Sequence, residues 1–194
     1  MNQSLVISGP ELGTLPALKK LGKLSDLRPV VIIDTREQTP LPITRLEVVR
    51  AGLQTADYSF QGGEQVFGIE RKSIDDLVGC CTGGNRERFE REMHRLRGFR
   101  FKRLLIVGHR WMIEGHRYRS KIKPSAVLHS LDAWEARYDL PVVFCEHETH
   151  AAALVEKWVW WFARQMVEDA NSLLRGSRTV EPVAPAPVEA VAVP

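Results

Sequence analysis

Residues 67–77, FGIERKSIDDL, decide the interpretation of this chain. The first residues are apolar and typical of a strand entering a core. Glu70, Arg71 and Lys72 follow without a turn, and Ser73 comes next as a residue that caps helices. Because side chains alternate along a strand, Glu70 and Lys72 lie on the same side of the extended chain. The stretch therefore predicts a strand that brings a carboxylate and an amine together just before a helix.

Strand-like and helix-like segments alternate on both sides of this stretch. The run PVVIID at 29–34 is rich in β-branched residues, as in a buried strand. Runs at 53–60 and 65–70 flank Gln61-Gly62-Gly63, which predicts a hairpin. Later patterns predict strands at 103–108 and 141–145 and helices at 85–97, 124–138 and 149–174. This order predicts an α/β fold of three layers, with a central mixed β-sheet flanked by helices.

Two segments between these elements have weaker patterns. Thr44 and Glu47 form a capping box, so TRLEVVRAG is predicted to be a short helix ended by Gly52. Residues 109–123 are predicted to be a polar, basic connection.

The composition changes towards both ends of the chain. Residues 1–27 have no sustained period and are predicted to be a flexible arm, whereas 28–175 form the compact domain. From Gly176 the sequence consists mainly of Pro, Ala, Val and Glu, so 176–194 is predicted to be a disordered tail.

Several function classes are excluded by simple features of the sequence. No apolar run approaches the roughly 18 residues of a membrane span, and the first residues do not resemble a signal peptide. The three cysteines suggest no disulfide framework. We therefore expect a cytoplasmic protein with no membrane partner. No Gly-rich phosphate loop occurs, so nucleotide use is not indicated.

Positive charge is concentrated in one block of the chain. Residues 86–123 hold 13 Lys/Arg and 4 Asp/Glu, a balance of 13 − 4 = +9 in a protein whose net charge is +3. Within the predicted helix at 85–97, Arg88, Arg91 and Arg95 share one face. Two interpretations fit equally well: a surface for a polyanion, or a solvated helix face with scattered arginines.

A set of charged residues suggests metal-assisted chemistry. If the hairpin pairs its strands, Asp57 lies near Glu70 and Lys72. Two carboxylates bind a hard divalent cation, and such a cation activates water and polarises a phosphodiester. The lysine orients that water or neutralises charge on the phosphate. Asp34, at the end of another strand, supplies a further oxygen ligand or holds a metal-bound water.

These residues also have a purely structural explanation, and a second cluster has an incomplete set of metal ligands. Taken alone, an acid followed by Glu-x-Lys is a common pattern, and a solvated strand end explains it. The buried strand that ends in Asp34-Thr35-Arg36-Glu37 and the basic helix downstream favour a site. Cys145, His147 and His150 suggest zinc, but a fourth ligand is not evident.

Three segments carry a resemblance to a known family: IIDTRE at 32–37, ADYSF at 56–60 and IERKSIDDL at 69–77. They resemble the nuclease domain of the XPF/Hef-like structure-specific endonucleases, whose signature is an acid in a Gly-Asp pair, then Glu-Arg-Lys, three variable residues and Asp. The resemblance covers about residues 29 to 165. It implies the restriction-endonuclease-like fold and its PD-(D/E)xK active site.

The resemblance implies roles for the residues of the set. Asp34, Asp57 and Glu70 would be the acids that hold Mg²⁺ or Mn²⁺, with the backbone carbonyl of Arg71 as a further ligand. Lys72 would be the catalytic lysine.

Supporting roles are implied for neighbouring residues. Arg36 would lie near phosphate as part of an Arg-Glu pair with Glu37, and Asp76 would hold Arg71 or Lys72 in place. A basic residue at the start of the following helix belongs to the pattern, and both Arg86 and Arg88 fit it. The arginines predicted to bind DNA are Arg86, Arg88, Arg91 and Arg95.

The sequence departs from the family pattern in two respects. Ala56 stands where the family has glycine, a change that matters only if that position needs a positive φ. The tandem helix-hairpin-helix module and the helicase of some members have no room here, so recognition of branched DNA is expected either to be weaker or to be supplied by a protein partner. The wide apolar arc of the helix at 149–174 and the dimers of the family suggest a homodimer.

These observations lead to one expected function and one alternative. The expected function is that of a metal-dependent DNA endonuclease that cuts phosphodiester bonds of branched or flap DNA in repair or recombination. The alternative is a DNA-binding or scaffold subunit that keeps the fold without the chemistry. Because every charged member of the signature is present, the enzyme is favoured.

Overall fold

The computed structural model describes residues 23–177, which form a six-stranded sheet with helices on both faces. The strands are β1 (Val30–Asp34), β2 (Glu47–Ala51), β3 (Tyr58–Phe60), β4 (Phe67–Ser73), β5 (Phe101–Val107) and β6 (Val142–Cys145). The helices are α1 (Ile74–Gly79), α2 (Gly83–Leu96), α3 (Arg110–Glu114), α4 (Pro124–Tyr138) and α5 (Glu148–Ser177), preceded by a 3₁₀ turn at Leu24–Asp26. The predicted three-layer α/β fold with a mixed sheet is confirmed.

The strand order β2-β1-β3-β4-β5-β6 determines which residues meet at one edge of the sheet. β4, β5 and β6 run parallel, whereas β3 is antiparallel to both β1 and β4. β1 therefore runs in the direction of β4, and their carboxyl ends meet at the edge where β3 begins. This edge receives Asp34 from β1, Asp57 from the residue before β3 and the charged end of β4.

Each face of the sheet has its own apolar core. On one face, α1, α2, α3 and α4 pack around Leu104, Ile106 and the fully buried Trp134. On the other face, α5 packs through Val155, Val159 and Ala163 against the strands. Two buried layers fix the central strands on both sides, so the backbone that carries the charged end of β4 is rigid.

The predicted helix at 44–52 is wrong, because residues 47–51 form the edge strand β2, parallel to β1. The capping box does not form. The backbone N–H groups of Thr44 and Arg45 instead donate to Oε1 of Glu156 on α5, at 2.8 and 2.5 Å. Val48 and Val49 then pair with β1 as β-branched residues suited to a strand. A tertiary partner distant in sequence thus overrides the local signal.

The third strand is shorter than predicted, since β3 begins at Tyr58 and not at Leu53. Ala56 has a φ of 70°, a left-handed conformation that interrupts the extended chain. This is the position where the family pattern has glycine, so alanine here carries the strain that a glycine avoids. The hairpin prediction is confirmed, with β3 and β4 antiparallel.

The two ends of the chain are only partly described. Most of the predicted arm at 1–27 and most of the predicted tail at 176–194 lie outside residues 23–177. Within the described residues, α5 continues to Ser177, beyond the predicted end at Leu174. The connection predicted at 109–123 contains the short helix α3. No helix among the described residues has the length and apolar character needed to cross a membrane.

Gly108, between β5 and α3, is required by the fold. Its φ is +136°, and a Cβ there would lie 2.5 Å from Cγ1 of Ile74 on α1. We expect Gly108→Ala to lower the free energy of unfolding by about 3 kcal/mol, through backbone strain and overpacking together. Urea denaturation measures this change. Gly98→Ala is the matched control, because a Cβ at Gly98 meets nothing within 4 Å. Equal effects of the two substitutions would contradict the packing argument.

Candidate active site

The edge of the sheet brings together the acid before β3 and the charged end of β4. The backbone N–H of Asp57 donates to the carbonyl of Ile69 at 3.1 Å, and Oδ2 of Asp57 accepts from the backbone N–H of Arg71 at 2.8 Å. Nζ of Lys72 donates to Oε1 of Glu70. The predicted placement of Glu70 and Lys72 on one side of the strand, with Asp57 beside them, is confirmed.

These side chains line a cavity of about 530 Å³ that opens to solvent. Glu70 is 1% exposed and Lys72 is 18% exposed, so the acid lies at the bottom and the amine above it. The Lys72 ammonium also lies 5.4 Å from the centroid of the Phe89 ring on α2. The remaining lining comes from β4, from the loop after β1, from the segment of α1 and from α2: Arg71, Arg36, Glu37, Gln38, Thr39, Asp75, Asp76, Gly79, Cys80, Asn85, Arg88 and Glu92.

The site holds two carboxylates against one amine in a buried environment. Burial raises the pKa of Asp57 to about 6, with Lys72 and the Arg71 N–H acting in the opposite direction. Burial and then the charge of Asp57 raise the pKa of Glu70 to about 8. Burial favours the neutral amine of Lys72, but Glu70 and Asp57 outweigh it and raise its pKa. A further positive charge in the cavity would lower both pKa values and so favour the ionised form of both acids at neutral pH.

The residues present fit a divalent cation. Oε2 of Glu70 is buried and finds no hydrogen-bond partner among residues 23–177, which leaves a hard oxygen donor free beside Asp57. Within the same residues there is no group of three or more His, Cys, Asp or Glu side chains that could hold a metal ion. A cation here would accordingly use the carboxylates of Asp57 and Glu70 and complete its shell with other oxygen atoms, such as the Arg71 carbonyl predicted from the family pattern.

Asp34 is buried at the same edge, but both its oxygens already have partners. Oδ1 accepts from the backbone N–H and Nε of Arg36, and Oδ2 accepts from the Leu53 N–H at 2.7 Å. Burial opposes ionisation, but these hydrogen bonds prevail and lower the pKa of Asp34. Asp34 can coordinate a metal ion only if its hydrogen bonds with Arg36 break. The role of Asp34 as a metal ligand therefore stays a prediction. Arg36 lines the cavity, where phosphate was predicted.

Arg71 also lines the cavity and joins β4 to the loop after β1. Its guanidinium donates to Oγ1 of Thr39 at 2.8 Å and lies 3.8 Å from Oε1 of Glu37. The same Glu37 oxygen accepts from the Thr39 N–H at 2.8 Å. These contacts clamp the residue between the two predicted catalytic side chains.

The predicted contact of Asp76 with Arg71 or Lys72 is wrong. Asp76 instead closes the start of α1: its backbone N–H donates to Oγ of Ser73 at 3.2 Å, and its Oδ2 accepts from the same hydroxyl at 2.7 Å. The neighbouring Asp75 accepts from the Arg119 N–H at 3.1 Å. Asp76 therefore fixes the corner after Lys72 through the helix cap.

The clamp through Glu37 gives a testable prediction. We expect Glu37→Gln to lower the cleavage rate by about tenfold, because residues that support metal ligands typically contribute 10–100-fold. DNA affinity should not change, since Arg36 and Arg88 remain. Single-turnover cleavage of a labelled flap substrate measures the effect. Glu47→Gln, on the exposed edge of β2, is the control, and an equal loss in both variants would contradict the clamp.

One face of α2 closes the cavity opposite the sheet. Asn85, Arg88, Phe89 and Glu92 follow helical spacing and all line the cavity. Arg86 is turned away: it pairs with Glu90, donates to Oγ of Ser130 and stacks on Trp134. Of the two arginines that fit the family pattern, Arg88 is therefore the one at the site. Arg91 and Arg95 are exposed, and DNA binding by all of these arginines stays a prediction.

Sequence reasoning missed Glu92. It lies seven residues after Asn85 and four after Arg88, a spacing that could have placed it on the same helix face. Its charge acts on Asp57 and Glu70, whose pKa values it raises further as a minor contributor.

Within residues 23–177, the other candidate sites lack a cluster of side chains that could bind a metal ion or catalyse a reaction. The suggested zinc cluster does not form among the described residues, and Cys145 is buried with its thiol directed at the carbonyl of Ile106. A larger cavity of about 700 Å³ lies against α5, lined by Trp160, Trp161 and the Arg45–Glu156 ion pair. It contains no cluster of carboxylates, so the smaller charged cavity is the candidate active site.

The fold and the site together define an XPF-like nuclease domain. The ERCC4 domain model matches residues 33–157, more than half of the chain. The chain therefore belongs to the ERCC4 domain family, and this membership supports a DNA endonuclease function.

Solved structures show the same fold. XPF from Aeropyrum pernix is similar with a TM-score of 0.56 and 17% identity, over 79% of this chain and 76% of that one. A structure of XPF from Aeropyrum pernix in complex with DNA is similar with a TM-score of 0.54 and 18% identity, over 80% and 69%. No curated protein matches this chain in sequence.

Proposed function

We propose that this chain is a DNA endonuclease that uses Mg²⁺ or Mn²⁺ to hydrolyse phosphodiester bonds. The observation that carries the proposal is the buried, partnerless oxygen of Glu70 beside Asp57 and Lys72 in an open cavity. A divalent cation would offset the charge of the two acids, whose pKa values burial raises, and the cavity around them opens to solvent. When bound, the cation supplies Lewis-acid polarisation of the phosphate and a water of lowered pKa.

The side chains of the site divide the remaining work. Asp57 and Glu70 would hold the cation, with Asp34 as the further predicted acid. Lys72, positioned by Glu70 and the Phe89 ring, would orient the attacking water or donate to a non-bridging phosphate oxygen as charge builds there. Arg36 and Arg88, on opposite walls, would fix the phosphate for in-line attack.

The basic block from 86 to 123 would track the DNA backbone. Binding through phosphates releases counterions, so affinity should fall steeply with salt. The preferred substrate would be branched or flap DNA in repair or recombination, with a protein partner contributing to junction recognition. The neighbour that is in complex with DNA supports DNA binding.

A homodimer is also proposed, with α5 in the contact. Trp160 and Trp161 are exposed on α5 beside the larger cavity. Light scattering at micromolar concentration tests the dimer, and a monomer mass would contradict it. The cytoplasm remains the expected location.

The function is tested by incubating labelled splayed-arm, flap and linear duplex DNA with the protein and Mg²⁺ or Mn²⁺, beside Asp57→Ala. We expect cleavage by the wild type, dependent on metal and strongest on branched DNA, and none by the variant. If both proteins bind DNA and neither cuts it, the chain is a scaffold subunit. Equal cleavage by both proteins would keep the function and refute the site.

A further inference from the structure

Trp111 is a large aromatic side chain that the fold does not use. It lies on α3 and is 56% exposed, whereas Ile113 on the same short helix is fully buried in the core. Met112 packs against the same core from its edge. Since these neighbours hold α3 in place, the exposed indole is free to bind something else.

The position of Trp111 follows from the sheet. β5 is parallel to β4, with Val107 opposite Ser73, so the chain leaves β5 at the edge that carries the active site. Gly108 then passes tightly against Ile74 of α1. Further on, the backbone N–H of Arg119 donates to Asp75 at 3.1 Å, and Asp75 lines the active-site cavity. The segment 108–119 is therefore tied to α1 at both ends and lies beside the cavity.

A second aromatic ring supports the indole. The imidazole of His109 is stacked with the Trp111 ring, with centroids 5.8 Å apart and an angle of 26° between the planes. His109 is only partly buried, so the pair forms a small aromatic surface on the outside of the protein. This surface is fixed by the turn through Gly108.

The segment that carries this aromatic pair is rich in basic residues, and one acid, Glu146, lies 3.9 Å from Nε2 of His109. Residues 109–123 contain five Lys/Arg and one acid, Glu114. Glu114 pairs with Arg110 at 3.1 Å, and Arg119 lies 3.9 Å from Asp75 of α1. Among the described residues, the positive charges of this connection that no ion pair offsets are those of Arg117, Lys121 and Lys123. Exposed aromatic rings among cations are the features that bind single-stranded nucleic acid, where unpaired bases stack on the rings and phosphates contact the cations.

We propose that Trp111, backed by His109, is a stacking platform for a base of an unpaired DNA strand at the edge of the cavity. The proposal rests on the proposed function and assigns to Trp111 the contact with the single-stranded arm of its substrate. Duplex DNA does not engage the platform, because its bases are already stacked on each other.

The test measures binding without cleavage. Fluorescence anisotropy with the full chain in EDTA gives the affinity for a labelled oligothymidine and for a blunt duplex. We expect Trp111→Ala to weaken oligothymidine binding by about tenfold and to change duplex binding by less than about twofold, because one base stack is lost. Trp111→Phe should restore most of the affinity, since it keeps an aromatic face.

Leu24→Ala is the control, because this apolar side chain is exposed in the 3₁₀ turn at Leu24–Asp26, which lies against α5 on the other face of the sheet. It should leave the ratio of single-strand to duplex affinity unchanged. An unchanged ratio in Trp111→Ala, or equal losses on both DNAs, overturns the platform. Cleavage is not part of this readout, so the two proposals fail separately. If the protein cuts DNA but Trp111→Ala binds oligothymidine as the wild type does, only the stacking role of Trp111 is refuted. If the protein does not cut DNA but Trp111→Ala loses affinity for oligothymidine alone, the stacking role stands and the nuclease function is refuted.

Discussion

Glu70→Gln should abolish cleavage and at the same time stabilise the metal-free protein. The substitution removes a buried carboxylate that would hold the cation, so we expect the rate to fall by about a thousandfold or more. The amide keeps the size of the side chain and can still accept from Lys72. It also removes the excess buried negative charge, which should add on the order of 2 kcal/mol to the free energy of unfolding without metal at pH 8.

The sign of the pH effect follows from the raised pKa of Glu70. In the unfolded chain this carboxyl titrates near 4.5, whereas in the folded, metal-free protein it titrates near 8. Between about pH 4 and 8 the folded state therefore binds more protons than the unfolded state, and stability falls as pH rises. Asp57, raised to about 6, adds to the same trend. In Glu70→Gln, the fall of stability with rising pH should be smaller than in the wild type.

Thermal unfolding in EDTA across this pH range measures both effects. Glu87→Gln, an exposed position on α2, is the control and should behave as the wild type. Adding Mg²⁺ should stabilise the wild type by filling the site and should leave Glu70→Gln almost unchanged. If Glu70→Gln is less stable than the wild type at pH 8 without metal, then the buried carboxylate of Glu70 does not destabilise the folded protein.

Lys72→Ala should separate chemistry from metal binding. We expect the single-turnover rate to fall by about 10²–10³-fold, as for the loss of one donor that stabilises charge in the transition state. The affinity for Mn²⁺ should not fall, because the removed ammonium repels the cation. Lys72→Arg should not restore the rate, since its planar guanidinium cannot occupy the narrow position between Glu70 and the Phe89 ring.

Lys157→Ala, exposed on α5 across the sheet, is the control for general loss of positive charge. Rates are compared at saturating Mn²⁺ and saturating DNA, so that only the chemical step differs. If Lys72→Ala loses metal affinity in parallel with the rate, the lysine organises the site and does not act on the phosphate.

Local patterns were sufficient for the part of the site that lies on consecutive residues. Alternation along one strand placed Glu70 and Lys72 together, and the hairpin at Gln61-Gly62-Gly63 brought Asp57 beside them. These relations depend on strand geometry alone, which the sequence specifies. The apolar runs predicted the layers of the fold for the same reason.

Contacts between distant segments were not predictable. Residues 44–52 resemble a capped helix, but Glu156, more than a hundred positions away, takes the N–H groups that the cap would use. The partner of Arg71 proved to be Glu37 and not Asp76. This contact depends on where the loop after β1 lies relative to β4, and the contact of Glu156 depends on where α5 packs, and both are determined only by the folded sheet.

We propose that Asp57 and Glu70 hold a divalent cation, and a measurement of Mn²⁺ binding is a simple test of this. Titration calorimetry of the wild type should show a site that is lost in both Asp57→Asn and Glu70→Gln, whereas Glu87→Gln retains it. Neither cleavage nor DNA is needed for this measurement. Mn²⁺ binding of equal affinity in the wild type and Glu70→Gln would contradict the account.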